Sequence, residues 1–284
     1  MKLGVITSLW AYAESLSIVE TFDRIANLGL RHVDILGFLH GDPLKLSDIE
    51  KNQIREQVNS LSLTLGSLIM LPPGNIASID ENENKACWEY VRAGIDLIAH
   101  LGGKQVLFNG GKRAFGVPHS RSWENAVSFI RRASSYAQEK DVFVTVEAEP
   151  YVYFLVNDLD TTVRMVRDVD HPHCMTALDI GHMNLSRDAP ETLEVVKAWT
   201  MRIHLSENDG LLHANDIHGT GNVDTGTYLK VLESTNFDDT CKKHNMDLVA
   251  VMELGVLGDA IPDPDDFARQ SMRHLLEVAP FLEI

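Results

Sequence analysis

The chain has 284 residues, of which 44% are apolar and 23% are charged. These proportions are ordinary for a globular protein with a substantial core, and they exclude a disordered chain, a collagen and a coiled coil. Acidic residues number 41 and basic residues 25, so the field of the protein repels nucleic-acid backbones and anionic lipid. We therefore expect neither nucleic acid nor a membrane among its partners.

The sequence gives no sign of export or of membrane insertion. No stretch approaches the roughly 20 apolar residues that span a bilayer, and the first residues run straight into strand-like sequence without a signal-peptide pattern. The three cysteines, Cys87, Cys174 and Cys241, are odd in number and far apart, which predicts neither a disulfide framework nor a thiolate zinc site. We expect a cytoplasmic protein.

Eight short apolar runs alternate with longer amphipathic stretches, which is typical of βα units around a parallel sheet. Two of the amphipathic stretches begin with a capping box, Ser17 with Glu20 and Ser47 with Glu50. Eight such units close most simply into a (β/α)8 TIM barrel, although a doubly wound open sheet has the same alternation. No linker divides the chain, so we predict one barrel domain over residues 1–284. The predicted strands are residues 3–8, 32–36, 64–70, 105–109, 143–147, 175–179, 201–205 and 248–253.

Polar residues stand at the ends of the last four runs. Glu147, Asp179 and Glu253 end strands 5, 6 and 8, and His204 lies near the end of strand 7. The active site of a barrel lies at the carboxyl ends of its strands, so these side chains converge. Three converging carboxylates repel one another unless a divalent ion binds them. The sequence predicts one ion on these four ligands: the oxygen-rich set favours manganese, with magnesium, cobalt or zinc as alternatives.

Five motifs follow one another in the order of the strands. They are E-x-x-P from Glu147, L-D-I-G-H ending at His182, H-L-S-E-N-D from His204, G-T-G-N-V-D over 219–224, and M-E ending at Glu253. Together they resemble the xylose isomerase-like barrel superfamily, and within it the sugar phosphate isomerase/epimerase group of D-tagatose 3-epimerase. The resemblance implies Glu147, Asp179, His204 and Glu253 as ligands of one divalent ion, His182 as a substrate contact beside it, and a chain that can form a homo-oligomer.

Two departures from the epimerase pattern concern the substrate. Ketohexose 3-epimerases carry a second glutamate six residues after the first, where this chain has Tyr153. They also carry an arginine after the strand-7 histidine, where this chain has Gly210 and then an insertion, LLHANDIH. Both missing groups handle substrate hydroxyls, so we expect a substrate other than a simple ketohexose. His213 or His218 of the insertion, and Glu149, are candidate replacement contacts.

Three further features lie near the predicted mouth of the barrel. His40 follows strand 2 and Asn109 ends strand 4, and each is either a substrate contact or a structural cap. The segment 208–224 is long for a βα connection, and such loops typically serve as lids or binding segments.

The predicted site indicates carbanion chemistry on a sugar. A divalent ion that binds a ketone oxygen and the neighbouring hydroxyl acidifies the C–H between them, because it stabilises the resulting enediolate. Glu147 and Glu253, on opposite sides of the sugar, would remove a proton and return one on the far face. We therefore expect a metal-dependent isomerase or epimerase acting on a keto-sugar or a sugar derivative.

Three alternatives use the same scaffold. The enediolate can instead expel a β-hydroxyl, which gives a dehydratase acting on a keto-sugar or keto-inositol. A sugar-binding barrel without catalysis is the non-enzymatic alternative. An endonuclease IV type of site with three zinc ions is disfavoured, because strands 3 and 4 end without a histidine and the net charge of −16 opposes DNA binding.

Overall fold

The computed structural model describes residues 1–13, 16–255 and 261–284. Its parallel strands form a closed barrel in which each strand pairs with its neighbours in chain order and the last pairs with the first. The predicted (β/α)8 barrel is therefore confirmed, and the open sheet is excluded. The strands are β1 (Lys2–Ile6), β2 (His32–Leu36), β3 (Thr64–Ile69), β4 (Gln105–Asn109), β5 (Phe143–Glu147), β6 (Cys174–Asp179), β7 (Thr200–Leu205) and β8 (Val249–Met252).

Helices connect and flank the strands. Both predicted capping boxes are present: the side chains of Ser17 and Ser47 accept from the backbone N–H three residues later, and Glu20 and Glu50 accept in return. A 3-10 helix, Pro190–Trp199, precedes β7. The α-helices are α1 (Ser8–Ala13), α2 (Ile18–Asn27), α3 (Asp48–Ser60), α4 (Glu81–Leu101), α5 (His119–Glu139), α6 (Leu159–Val169), α7 (Ile180–Ser186), α8 (Thr225–Ser234), α9 (Asp239–Lys243) and α10 (Pro264–Val278).

Some predicted strand ends were wrong by one or two residues. The first strand was predicted to reach Ser8, but β1 ends at Ile6 and α1 begins at Ser8. The Ser8 hydroxyl donates to the Leu254 carbonyl oxygen at 3.1 Å, which ties this turn to the end of the barrel. At the other end, β8 stops at Met252 and leaves Glu253 just beyond the strand. A single sequence shows the apolar run but not where its backbone pairing stops.

The barrel interior is partly apolar and partly polar. Ile6, Leu36, Val249 and Val251 form a small apolar cluster of their own, separate from the main core. Elsewhere the Arg202 guanidinium of β7 pairs with the Asp34 carboxylate of β2 at 2.7 Å. Because β2 and β7 are not neighbours in the sheet, this pair crosses the inside of the barrel. The core between sheet and helices is apolar, whereas the barrel interior holds a buried ion pair beneath the mouth.

The cysteines are buried thiols. Cys87, Cys174 and Cys241 are free, and burial raises the pKa of Cys174 and of Cys241 to about 12. A thiol of that pKa carries almost no thiolate at neutral pH, so both side chains behave as small core residues. Across 1–13, 16–255 and 261–284, no helix has the length and apolar character needed to cross a membrane.

Candidate metal centre

Four side chains from successive strands meet at the mouth of the barrel. Glu147, Asp179, His204 and Glu253 each place one ligand atom within 4.8 Å of the others. His204 Nδ1 lies 2.9 Å from Glu147 Oε1 and 3.3 Å from Glu253 Oε2. The structure thus brings together the four residues that the strand ends indicated as ligands.

The atoms of this cluster have the properties of metal ligands. Glu147 Oε1, Asp179 Oδ2 and His204 Nδ1 are buried and make no hydrogen bond of acceptable geometry. A buried polar atom left in that state costs about 1–3 kcal/mol, so three of them facing one point call for a cation. Three carboxylates with one imidazole suit a hard or borderline divalent ion. The residues present therefore fit the predicted ion.

The charges of the cluster also indicate a divalent cation. Burial raises the pKa of Glu147, because a carboxylate in this position loses its hydration. Burial acts to lower the pKa of His204, but the charge of Glu147 and the hydrogen bonds to Asp34, Glu147 and Glu253 raise it well above its usual value. The carboxylates thus hold positive charge on the imidazole. A divalent ion supplies that charge directly and displaces the proton.

His204 is oriented by a network across the barrel. Its Nε2 lies 3.4 Å from Asp34 Oδ2, and Asp34 Oδ1 accepts from Arg202 Nη2 at 2.7 Å and from the Ser67 backbone N–H at 2.8 Å. A carboxylate behind the far nitrogen is the usual way in which a metal-binding histidine is held. We did not predict this network. The sequence feature that could have indicated this network is one charged residue inside each of two apolar runs, Asp34 in VDIL and Arg202 in MRIHL.

Asp179 is held through one of its two oxygens. Oδ1 accepts from the Ser206 hydroxyl at 2.6 Å and from the His182 backbone N–H at 3.1 Å, which leaves Oδ2 facing the cluster. The glycine of the D-I-G-H motif makes this possible: a Cβ at Gly181 would lie 2.1 Å from Ser206 Oγ. The motif therefore supplies one carboxylate of the cluster, room for the Ser206 hydroxyl that donates to it, and the first residues of α7.

The inserted segment reaches the other side of the cluster. Asn215 Nδ2 donates to Glu253 Oε1 at 3.1 Å, and His213 Nε2 lies 3.7 Å from the same oxygen. The Gly255 backbone N–H donates to the Asn215 carbonyl oxygen at 2.8 Å, which fastens the segment to the end of β8. We did not predict a role for Asn215, because a loop without periodicity gives no signal of where it folds back.

His182, His213 and Glu149 lie beside the four-residue cluster. His182 Nδ1 donates to the Ala148 carbonyl oxygen at 2.8 Å, and its Nε2 is in contact with His213 Nδ1. Burial acts to lower the pKa of His182, but the charges of Asp179 and Glu149 raise it to about 9. As substrate contacts all three stay predictions, and Glu149 lies beyond the end of β5 at Glu147.

Of the remaining candidate contacts, His40 and Asn109 are hydrogen-bonded to backbone groups. His40 Nε2 donates to the Leu16 carbonyl oxygen at 2.7 Å, and Asn109 Oδ1 accepts from the Gly111 backbone N–H at 3.1 Å. These are the bonds that a structural cap makes. His218, the last residue of the inserted segment, has a buried ring whose two nitrogens make no hydrogen bond, and its backbone N–H donates to Ser271 Oγ of α10 at 3.2 Å. In the part of the chain that the structure describes, none of the three belongs to a metal-ligating group.

Glu207 of the H-L-S-E-N-D motif organises the segment 208–224. Its Oε2 accepts from the Gly219 backbone N–H at 2.7 Å, and its Oε1 accepts from those of Val223 and Asn208 at 3.1 and 3.2 Å. A buried carboxylate with several backbone donors is well satisfied and rigid. Glu207 therefore anchors both ends of the segment, and His213 and Asn215 project from it toward the cluster.

The buried ring of His218 is expected to make the fold less stable as the pH falls below neutral. Burial lowers the pKa of its ring to about 4, against about 6.5 in an unfolded chain. As the pH falls through this window the unfolded state binds a proton that the folded state does not, so the fold loses about 2 kcal/mol between about pH 7.5 and about pH 5. We expect His218→Gln to remove this loss, measured as the free energy of unfolding in urea at both values. His100→Gln, at an exposed histidine of α4, is the control. An equal pH dependence in the wild type and in His218→Gln would contradict the prediction.

Comparison with known proteins agrees with the barrel fold. A family model described as a xylose isomerase-like TIM barrel matches residues 22–279. D-psicose 3-epimerase from Ruminiclostridium cellulolyticum is 24% identical over 201 residues, which make up 66% of this chain and 66% of that relative. A solved L-ribulose 3-epimerase matches with a TM-score of 0.82 at 15% identity, covering 99% of this chain and 95% of the other. The IOLI protein with a binding zinc atom matches with a TM-score of 0.81 at 15% identity, covering 100% of this chain and 99% of the other.

The family match spans the part of the chain that carries the cluster. Residues 22–279 run from α2 to just past the end of α10 and include all four residues that meet at the mouth. The structural likenesses, at 15% identity, show the same barrel. The motifs in strand order, the closed barrel and the family model agree, and the chain belongs to the xylose isomerase-like TIM-barrel family.

Proposed function

We propose that this protein is a divalent-metal-dependent isomerase or epimerase that acts on a keto-sugar or a sugar derivative. The observation that carries the proposal is the placement of two carboxylates, Glu147 Oε1 and Glu253 Oε2, at 2.9 and 3.3 Å from His204 Nδ1. The names of the relatives support it, since they include a D-psicose 3-epimerase, an L-ribulose 3-epimerase and a zinc-binding protein.

The four ligands divide into holding and reacting groups. Asp179 and His204 are fixed by Ser206 and Asp34, so they hold the ion. The ion, when bound, polarises the ketone and stabilises the charge that develops on its oxygen. Manganese fits the oxygen-rich ligand set, and magnesium, cobalt and zinc are the alternatives.

Glu147 and Glu253 are placed to move the proton. They come from β5 and from the end of β8, which are separated by two strands, so their carboxylates approach a sugar from different directions. One can remove the proton beside the carbonyl and the other can return a proton to the opposite face, which inverts that carbon. Return to the neighbouring carbon interconverts aldose and ketose. Asn215 holds the second oxygen of Glu253 and thereby sets its direction.

The groups around the ligands favour a substrate that differs from a simple ketohexose. Tyr153, at the position of the second epimerase glutamate, is half exposed and stacks on Tyr151 with ring centroids 5.9 Å apart. The polar groups beside the ion are instead His182, His213 and Glu149. We infer that these three meet the substrate hydroxyls.

The proposal is tested by hydrogen exchange. Protein loaded with Mn²⁺ and incubated with a panel of keto-sugars in D₂O is expected to place deuterium on the carbon beside the carbonyl, read by NMR. Metal-free protein prepared with a chelator is the control, because the acidity of that C–H depends on the ion. Loss of water in place of exchange would assign the dehydratase alternative, and metal-loaded protein that binds keto-sugars without either reaction would leave a sugar-binding barrel.

A further inference from the structure

Several exposed apolar side chains lie around the mouth of the barrel. They belong to the loops that follow β4, β5 and β7, and they include Phe115, Val152, Tyr153, Leu211 and Leu212. These loops lie at the carboxyl ends of their strands, on the face that carries the four-residue cluster. A polar site with exposed apolar groups around it fits a ligand that is polar at one end and apolar at the other.

Tyr151 and Tyr153 form a flat aromatic surface in the loop after β5. Their rings are parallel to within 5°, and the ring centroids are 5.9 Å apart. The Tyr153 ring also contacts the buried Phe154, with centroids 4.8 Å apart. A further aromatic ring is attracted to such a surface by offset stacking as well as by the burial of apolar area. We call Tyr151 and Tyr153 the tyrosine platform.

The loop after β4 holds the tyrosine platform in place. The Arg113 backbone N–H donates to the Tyr153 carbonyl oxygen at 2.7 Å, and the Leu155 backbone N–H donates to the Gly111 carbonyl oxygen at 2.9 Å. The backbone that carries the exposed ring is therefore paired on both sides of Phe154. A ligand that binds to rings held in this way has little conformational entropy to remove.

The tyrosine platform lies close to the metal cluster. Glu149, whose charge acts on His182, is two residues before Tyr151, and two residues span at most about 7 Å. The Tyr151 backbone N–H donates to the Glu149 carbonyl oxygen at 2.7 Å, which folds this stretch back on itself. From the inserted segment, Leu212 directly precedes His213, which contacts His182. The platform and Leu212 thus lie on two segments that both reach His182.

We propose that the tyrosine platform binds an aromatic aglycone, and that the substrate is an aryl glycoside whose sugar ring carries a ketone. The ketone rests on the proposed function, whereas the aromatic subsite does not. In a glycoside the anomeric carbon is an acetal, so the ketone lies on another ring carbon. A dehydrogenase that transfers a hydride from a ring carbinol to a nicotinamide or a flavin, with release of the hydroxyl proton, must therefore supply this substrate.

The subsite is tested with two ligands that differ only in the aglycone. Dissociation constants of phenyl and methyl 3-keto-β-D-glucopyranoside are measured by isothermal titration calorimetry on Mn²⁺-loaded protein. A ketone at C3 has a hydroxyl on each side, so both ligands can bind the ion in the same way. We expect the phenyl glycoside to bind about 10-fold more tightly, because only its ring can stack on Tyr153.

Replacing Tyr153 by alanine is expected to reduce this preference to less than about 3-fold, since the flat face is lost. Val195→Ala is the matched control, because Val195 of the 3-10 helix is 50% exposed and Tyr153 is 51% exposed. The control is expected to keep the preference. Circular dichroism establishes that each variant is folded, and Tyr153→Leu replaces Tyr153→Ala if the latter is not.

The aromatic subsite and the proposed function fail in different ways. A phenyl preference that is lost in Tyr153→Ala and kept in Val195→Ala supports the subsite. Equal affinities of the wild type for the two ligands, no binding of either, or a preference that survives in Tyr153→Ala overturns it. Deuterium exchange in D₂O reports on the proposed function separately: a Tyr153-dependent preference without exchange on any keto-sugar supports the subsite and overturns the isomerase, whereas exchange without a phenyl preference overturns the subsite alone.

Discussion

Replacing Glu253 by glutamine is expected to lower turnover of a keto-sugar substrate by about 10²- to 10⁴-fold, the usual contribution of a positioned acid or base. Glutamine has nearly the same shape, but its amide does not accept and return a proton at neutral pH. Glu253 is held by Asn215 through Oε1 and faces His204 Nδ1 with Oε2, so the substitution changes the chemistry at a fixed position. Turnover is measured at saturating substrate and saturating Mn²⁺, so that weaker ion binding does not determine the result.

Glu149→Gln is the matched control for this substitution. Glu149 is a carboxylate beside His182 that does not belong to the four-residue cluster. We expect its loss to raise KM more than it lowers kcat, because a substrate contact acts mainly on binding. Formation of the epimerised or isomerised product by Glu253→Gln at the wild-type rate would rule out Glu253 as an acid or base.

Replacing Arg202 by methionine is expected to lower the free energy of unfolding by about 3–5 kcal/mol, the cost of leaving a buried charge without its partner. Arg202 is 3% exposed and its guanidinium lies 2.7 Å from the fully buried Asp34. Burial acts to raise the pKa of Asp34, but the charge of Arg202, together with His204 and the Ser67 backbone N–H, outweighs burial and lowers that pKa. Methionine fills a similar volume without a charge, so the loss reports on the ion pair and not on packing.

Two companion variants separate the buried pair from other effects. Arg55→Met removes an exposed arginine of α3 and is expected to cost less than about 0.5 kcal/mol. Gly66→Ala acts on the same pair from the other side, because a Cβ at Gly66 would lie 1.0 Å from Arg202 Nη2. We expect Gly66→Ala to destabilise the fold. We also expect it to weaken metal binding, because Asp34, the partner of Arg202, orients His204. Equal costs for Arg202→Met and Arg55→Met in urea unfolding would contradict the expected role of the pair.

The sequence predicted well which residues converge at the mouth of the barrel, because their placement depends on local features. An apolar β-branched run identifies a strand without knowledge of its neighbours, and a carboxylate at its end lies at the mouth of any parallel barrel. Glu147, Asp179, His204 and Glu253 could therefore be chosen together before their distances were known. The same reasoning left two roles open for His40 and Asn109, substrate contact or structural cap. The structure shows each hydrogen-bonded to a backbone group.

Other features depend on contacts between distant parts of the chain. The support of His204 by Asp34 and Arg202 crosses the barrel, so it exists only once the sheet has closed. The contacts of Asn215 and His213 with Glu253 depend on the path of the segment 208–224, which Glu207 sets through backbone hydrogen bonds. That segment has no apolar periodicity that would predict its path.

The amino-acid sequence by itself determined the order of strands and helices and the residues that end the strands, because apolar periodicity and strand ends are local properties. It favoured the barrel over the open sheet, and the closed pairing of the strands decided between them. The tertiary structure alone decided which atoms of those residues face one another, which oxygen of Asp179 is free and which histidine stands beside His182. The reason is physical: hydrogen bonds and ion pairs between distant segments depend on distances of a few ångströms, and only the closed barrel sets those distances.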